Sequence, residues 1–241
     1  MARLAILSMP SRYTLEISVE SVAAAKAAER GGADRIELCS MLTDGGLTPS
    51  PELMKEVRSS VKLPIFAMIR PRAGGFVYSE EEFRGMSESI RFARQLQMDG
   101  LVLGILRADR KVDINRSREL VERAAPLPVT YHRAFDACVD LRASLNDVIA
   151  TGAVRVLTSG GKRTAPESLE LLGDLVLSAG DRLIVMPGSG LHAGNIQETV
   201  RKTKAREYHA GLSSVIAKPA QNPKAFEEEV RKLAEALRAC P

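Results

Sequence analysis

A chain of 241 residues with 34 basic and 30 acidic side chains carries a net charge of only +4, too small an excess to mark a nucleic-acid-binding surface. Cys39, Cys138 and Cys240 are too few and too scattered for a disulfide framework or a Cys-x-x-Cys zinc site, so a reducing, cytoplasmic setting is expected. No stretch approaches the roughly 20 apolar residues that span a bilayer, and the apolar run Arg3–Leu7 is shorter than a signal-peptide core.

Residues 1–13 read as an N-terminal extension and 14–241 as one domain, because no proline- or glycine-rich linker and no shift in composition interrupts them. Thr14–Ser18 is the first β-branched or apolar run, followed by an alanine-rich helical pattern that ends at Gly31-Gly32. Arg35–Cys39 is the second, after which Ser50-Pro51 gives an N-cap with proline in the first turn. Ile65–Arg70 is the third; Ser79 and Glu82 behind it have the spacing of a capping box. Gly100–Gly104, Val129–Arg133 and Val154–Thr158 are the next three, with Gly100 and Gly152 expected to cap the helices before them. Thr164 and Glu167 repeat the capping-box spacing, and Gly180 closes that helix. Leu183–Met186 and Glu207–Gly211 complete the set, and Asn222-Pro223 opens a last helix.

Eight strand–helix units imply a parallel sheet. No strand leads into a Gly-x-Gly-x-x-Gly turn and there is no P-loop, so a single (β/α)8 TIM-like barrel is expected rather than an open doubly wound sheet. Side chains alternate along a strand, and one parity collects the polar residues. Glu16 and Ser18, then Arg35, Glu37 and Cys39, Met68 and Arg70, Thr130 and His132, Val156 and Thr158, and Glu207 and His209 are expected to face the barrel interior. Leu15, Ile17, Ile36, Leu38, Ile69 and Leu157 take the opposite face, beneath the helices.

A polar interior is costly unless its charges are paired, so Arg35 and Arg70 need partners, and Glu16, Glu37 and Glu207 are available. A ladder of ion pairs that only holds the barrel in register is one account. The other is an active site, since that fold gathers its chemistry at the C-terminal ends of the strands. All three histidines, His132, His192 and His209, fall at or just after strand ends. His132 is the better general acid or base, with an unperturbed pKa near neutrality. The turns Pro187-Gly188-Ser189-Gly190 and Gly211-Leu212-Ser213-Ser214 have the composition of a phosphate cradle, and Arg70 and Arg72 stand where they could clamp an anion. A mononuclear zinc hydrolase is disfavoured by the lack of His-Glu-x-x-His or of His-x-His at the first strand, and a serine hydrolase by the lack of Gly-x-Ser-x-Gly.

The motifs from Gly32 to Ser40, Gly45 to Ser50, Met68 to Arg72, Val129 to Asp136, Arg155 to Gly160, and Met186 to Gly188 closely resemble the CutC family, in order and over nearly the whole chain. The resemblance implies a TIM-like barrel, cytoplasmic and oligomeric, connected with copper homeostasis. It also implies a copper(I) role for cysteines near strand ends, matched here by Cys39 and Cys138, while Ser18 stands where many relatives have a cysteine. Two functions follow as expectations. One is copper(I) binding by Cys39 and Cys138 without catalysis. The other is a metal-independent enzyme for a small anionic metabolite, phosphorylated or carboxylated. In the latter, Glu37 and His132 exchange protons and Glu16, Asp136 and His209 orient them. Arg35, Arg70, Arg72, Thr158, Ser159, Gly188, Gly190 and Ser213 hold the anion.

Overall fold

The computed structural model describes residues 13–213, 215–216 and 222–241. Ser214 and all of the expected N-terminal extension except Tyr13 lie outside them. The eight strands are β1 (Thr14–Val19), β2 (Arg35–Leu38), β3 (Ile65–Met68), β4 (Gly100–Leu103), β5 (Val129–Tyr131), β6 (Arg155–Thr158), β7 (Ile184–Pro187) and β8 (Glu207–Ala210). Alternating with them are α1 (Val22–Gly31), α2 (Pro51–Ser60), α3 (Glu80–Gln95), α4 (Ile114–Ala124), α5 (Leu141–Thr151), α6 (Leu169–Ala179), α7 (Ile196–Thr203) and α8 (Pro223–Arg238). Every strand pair is parallel, each strand lies beside its sequence neighbour, and β8 returns to β1. A parallel bridge between Gly188 and His209 joins the ends of β7 and β8, completing a (β/α)8 barrel.

The helix signals act mostly as their chemistry dictates. Ser50 accepts from the Leu53 amide, Asn222 from the Ala225 amide, and Ser79 with Glu82 forms a full capping box. Gly32 and Gly152 turn left-handed behind α1 and α5, as glycine allows at no steric cost. Two expectations fail. Thr164 donates its hydroxyl to Glu167 and caps no amide, because a short 3-10 turn intervenes before α6. Gly100 is no cap; it begins β4, where a Cβ would lie 2.5 Å from the Phe66 ring. The missing side chain makes room for that ring inside the barrel.

Outside the barrel wall, Leu15, Ile17, Ile36, Leu38, Ile69 and Val156 join the continuous apolar layer beneath the helices. Inside, Phe66, Met68, Val102 and Cys39 form a separate small cluster. On β6 the expected parity is reversed. Arg155 and Leu157 face inward, whereas Val156 packs in the outer layer and Thr158 turns to the loop after β5. The reason is electrostatic: inward, Arg155 meets Glu207, while outward it would enter a dry aliphatic layer.

Candidate functional site

The lower interior of the barrel is a closed ion-pair network. Arg35 donates through Nε to Glu16 and through Nη2 to Glu207 at 2.6 Å. Arg155 grips the same Glu207 with Nε at 2.6 Å and Nη2 at 2.9 Å, and its Nη1 reaches the Thr130 hydroxyl at 3.2 Å. Both guanidinium groups lie over the Phe66 ring, at 4.8 and 5.4 Å from its centre. Burial by itself would raise both carboxyls, but the arginines prevail: Glu207 is lowered, and Glu16, held by Arg35 and His209, falls to about 2.

Above this network a cavity of about 390 Å³ opens at the C-terminal ends of the strands. Glu37, Arg70, His132, Arg133, His209 and Ser18 give it its polar wall; Met68, Phe76, Leu157 and Leu212 are among its apolar lining, and Gly190 and Ser213 line its rim. His209 joins the two layers. Its Nδ1 lies 2.8 Å from Glu16 Oε1, which fixes the ring, and its Nε2 lies 3.8 Å from Glu37 Oε2. Burial works against a charged ring there, yet Glu37 and Glu16 raise the His209 pKa.

Glu37 and His132 are the unusual members. Glu37 is fully buried and its pKa is raised, burial outweighing the help of His209. One carboxylate oxygen has only the Cys39 thiol at 3.5 Å and the His209 ring beside it; the other, Oε1, has no hydrogen-bond partner among the described residues. His132 accepts the Ala134 amide on Nδ1 at 3.1 Å, so the neutral ring keeps its proton on Nε2, which has no partner among the described residues. Burial and the Arg70 charge lower its pKa to about 3. At neutral pH His132 is therefore an uncharged hydrogen-bond donor. In that state it can donate a hydrogen bond but accepts a proton less readily than a free imidazole, whereas burial makes the Glu37 carboxylate more basic.

The cavity thus unites Glu37, His132, His209, Arg70, Gly190 and Ser213. Glu16 and Arg35 stand behind it, in the lower network. Arg70 is not a free clamp, since Nη1 donates to the carbonyls of Asp44 and Gly46 and Nη2 to that of Gly74. Arg72 turns away, to Glu82 and the carbonyls of Ala73, Gly75 and Val77, with Tyr78 beneath it. The Gly188 amide is spent on the Thr158 carbonyl, and the residue is packed too tightly between Leu157 and His209 to admit a Cβ. Asp136, Thr158 and Ser159 bind one another beside the cavity and do not line it. His192 serves its own loop by accepting the Gly194 amide. The residues missed from sequence are Arg155 and Arg133. For Arg155 the signal was a charge at the start of a strand in a barrel whose interior was expected to hold Glu16, Glu37 and Glu207; for Arg133 it was a position just past His132.

These sequence features have recognisable relatives. The CutC family model matches residues 13–214. A family protein CutC from Xylella fastidiosa (strain Temecula1) is 46% identical over 203 residues, covering 84% of this chain and 76% of the relative. The chain belongs to the CutC family. The human copper homeostasis protein cutC homolog is 45% identical over 202 residues, which is 84% of this chain and 74% of that one. The crystal structure of a copper homeostasis protein CutC from Streptococcus agalactiae superposes with a TM-score of 0.78 at 32% identity, covering 82% of this chain and 98% of that chain.

The cysteines of this CutC family member are not gathered into one cluster among the described residues. Cys39 is fully buried in the interior cluster; burial and the Glu37 charge hold its thiol protonated, well above the usual range. Cys138 packs against the outer apolar layer, its thiol facing the Ala134 carbonyl, and is likewise raised by burial. The grouping of potential ligands found among the described residues is Glu16, Glu37 and His209, an oxygen and nitrogen set that contains no cysteine. Copper(I) favours thiolate and thioether sulfur, so this donor set does not fit it. No helix of the described residues is long and apolar enough to cross a membrane.

Proposed function

We propose that this chain is a metal-independent enzyme that moves a proton on a small anionic metabolite, with Glu37 as base and His132 as the neutral donor that stabilises the developing oxyanion. The observation that carries the reading is the pair of buried, unpartnered atoms, Glu37 Oε1 and His132 Nε2, on residues lining one cavity. Each such atom costs about 1–3 kcal/mol when left unsatisfied, a cost that ligand binding removes. A carboxylate made more basic by burial, sharing its cavity with a neutral imidazole donor, suits abstraction of a proton beside a carbonyl group. The substrate carbonyl takes the His132 hydrogen bond, and Glu37 receives the carbon-bound proton and returns it to the same or the neighbouring carbon. His209, steadied by Glu16, sets the charge beside Glu37.

The test is solvent exchange. Small phosphorylated and carboxylated carbonyl compounds are incubated with the protein and EDTA in heavy water, and loss of the carbon-bound proton signal is followed by NMR. Exchange that requires the wild-type protein and falls at least 100-fold in Glu37→Gln supports the reading. Exchange that persists in Glu37→Gln, or that EDTA abolishes, overturns it.

The relatives are named for copper homeostasis, which supports as a second reading copper(I) binding by Cys39 with Cys138. An anaerobic copper(I) titration of the wild type and Cys39→Ser decides it: equal, weak binding by both proteins ends the copper reading, and tight binding lost in the variant establishes it.

A further inference from the structure

We propose that Arg133 is the anion anchor of the cavity, and that Asp136, Thr158, Ser159 and Gly161 form the bracket that positions it. This rests on the reading that the cavity takes a small substrate, and it names the chemistry that recognises one: an oxyanion, phosphate or carboxylate, placed beside the Glu37 and His132 pair.

Three arginines stand at the mouth, and their hydrogen bonds sort them. Arg70 has spent Nη1 and Nη2 on three loop carbonyls, and Arg72 has spent its whole fork on Glu82 and three carbonyls away from the cavity. Arg133 follows His132 directly and lines the cavity. Its Nε donates to Asp136 Oδ2 at 2.8 Å, and its Nη2 donates to the Ser159 hydroxyl at 2.8 Å and the Lys162 carbonyl at 3.4 Å. Nη1 makes no hydrogen bond among the described residues. A guanidinium gripped through Nε and Nη2 keeps both Nη1 hydrogens for a ligand, and being held already it loses little freedom in binding.

The bracket is built for that purpose. Asp136 Oδ1 accepts the Thr158 hydroxyl and the Gly161 amide at 3.0 Å, while Oδ2 accepts the Ser159 amide at 3.0 Å besides Arg133. The carboxylate is almost entirely buried, whereas Arg133 is 41% exposed by side chain. A carboxylate so fully occupied by donors does no proton chemistry; it fixes geometry. The polar residues Asp136, Thr158 and Ser159 thereby acquire a role without touching the cavity themselves.

The experiment titrates the full-length protein at pH 7 with inorganic phosphate and, separately, with acetate, by calorimetry and by the ¹⁵N-edited signal of the Arg133 Nε–H group. Saturable binding is expected, with a shift of that signal, and a loss of at least tenfold in Arg133→Lys, which keeps the charge but not the fork. Asp136→Asn should move the Nε–H signal before any ligand is added and weaken binding by a smaller factor, with the thermal midpoint recorded alongside. Glu37→Gln should bind the anion at least as well as wild type, so the anchor is tested apart from the proton-transfer reading. Phosphate binding alone assigns a phosphate ester, and acetate binding alone a carboxylate. Binding of neither anion by the wild type, or undiminished binding by Arg133→Lys, overturns the proposal.

Discussion

Two polar layers share one barrel and solve the same physical problem in opposite ways. In the lower layer Arg35 and Arg155 meet Glu16 and Glu207, and both guanidinium groups lie over the Phe66 ring. In the upper layer Glu37 Oε1, Arg70 Nε and His132 Nε2 are all buried without a hydrogen-bond partner among the described residues. Buried charge survives in a folded chain when opposite charge satisfies it, as it does below. Unsatisfied polar atoms of the upper kind are rare in native interiors and collect where a ligand completes them. The contrast separates a closed ladder from a proposed binding site, although the two are only two residues apart on β2 and β8.

The largest effect that would break the comparison comes from below. Glu207→Ala strands Arg155 in the interior and leaves Arg35 with Glu16 alone, and should cost about 3–5 kcal/mol, read as a fall in the urea midpoint. A cost near zero would mean that the lower layer is not the ladder described. Acid should attack the same layer next. The Glu16 carboxyl is depressed in the folded state to about 2 from an ordinary 4.5. Its stabilisation is therefore full above pH 4.5 and is lost as pH falls toward 2, on the order of 3 kcal/mol. Glu16→Gln should flatten that part of the stability–pH curve.

The upper layer predicts a different window. His132 is depressed from 6.5 to about 3 in the fold, so the unfolded chain takes up a proton first as pH falls below 6.5. Between pH 7 and pH 5 this costs about 2 kcal/mol, and His132→Gln should lack that slope in urea melts across the range. An unchanged slope would mean that the imidazole is charged and cannot be the neutral donor. The smallest effect sharpens the contrast most. Glu37 has a raised pKa in the fold, so its contribution is favourable below pH 4.5 and lost as pH rises. Glu37→Gln should melt at the same or a higher urea concentration at pH 7, by up to about 1 kcal/mol, the gain closing by pH 4. A strongly destabilised variant would make Glu37 another rung of the ladder.

Much of this was legible in order along the chain. Strand–helix alternation gave the barrel, and period-two alternation on β1, β2, β5 and β8 placed Glu16, Arg35, Glu37, His132, Glu207 and His209 inside. On β6 alternation misleads, because Val156 and Thr158 carry no charge to anchor the parity and the inward residue, Arg155, is revealed only by Glu207 on β8. The loops mislead as well. Arg70 and Arg72 stand in a basic tripeptide that looks like an anion clamp, but their donors are consumed by carbonyls whose approach no spacing reveals.

The sequence by itself determined the fold and the polar character of the barrel interior, because both follow from local periodicity and from which side chains a strand can tolerate on one face. It could not determine which polar groups would be satisfied. That depends on partners such as Arg155 with Glu207 or Glu16 with His209, 52 and 193 residues apart in the chain. Only closure of the barrel brings them together, and only then do Glu37 and His132 stand out as the residues left incomplete.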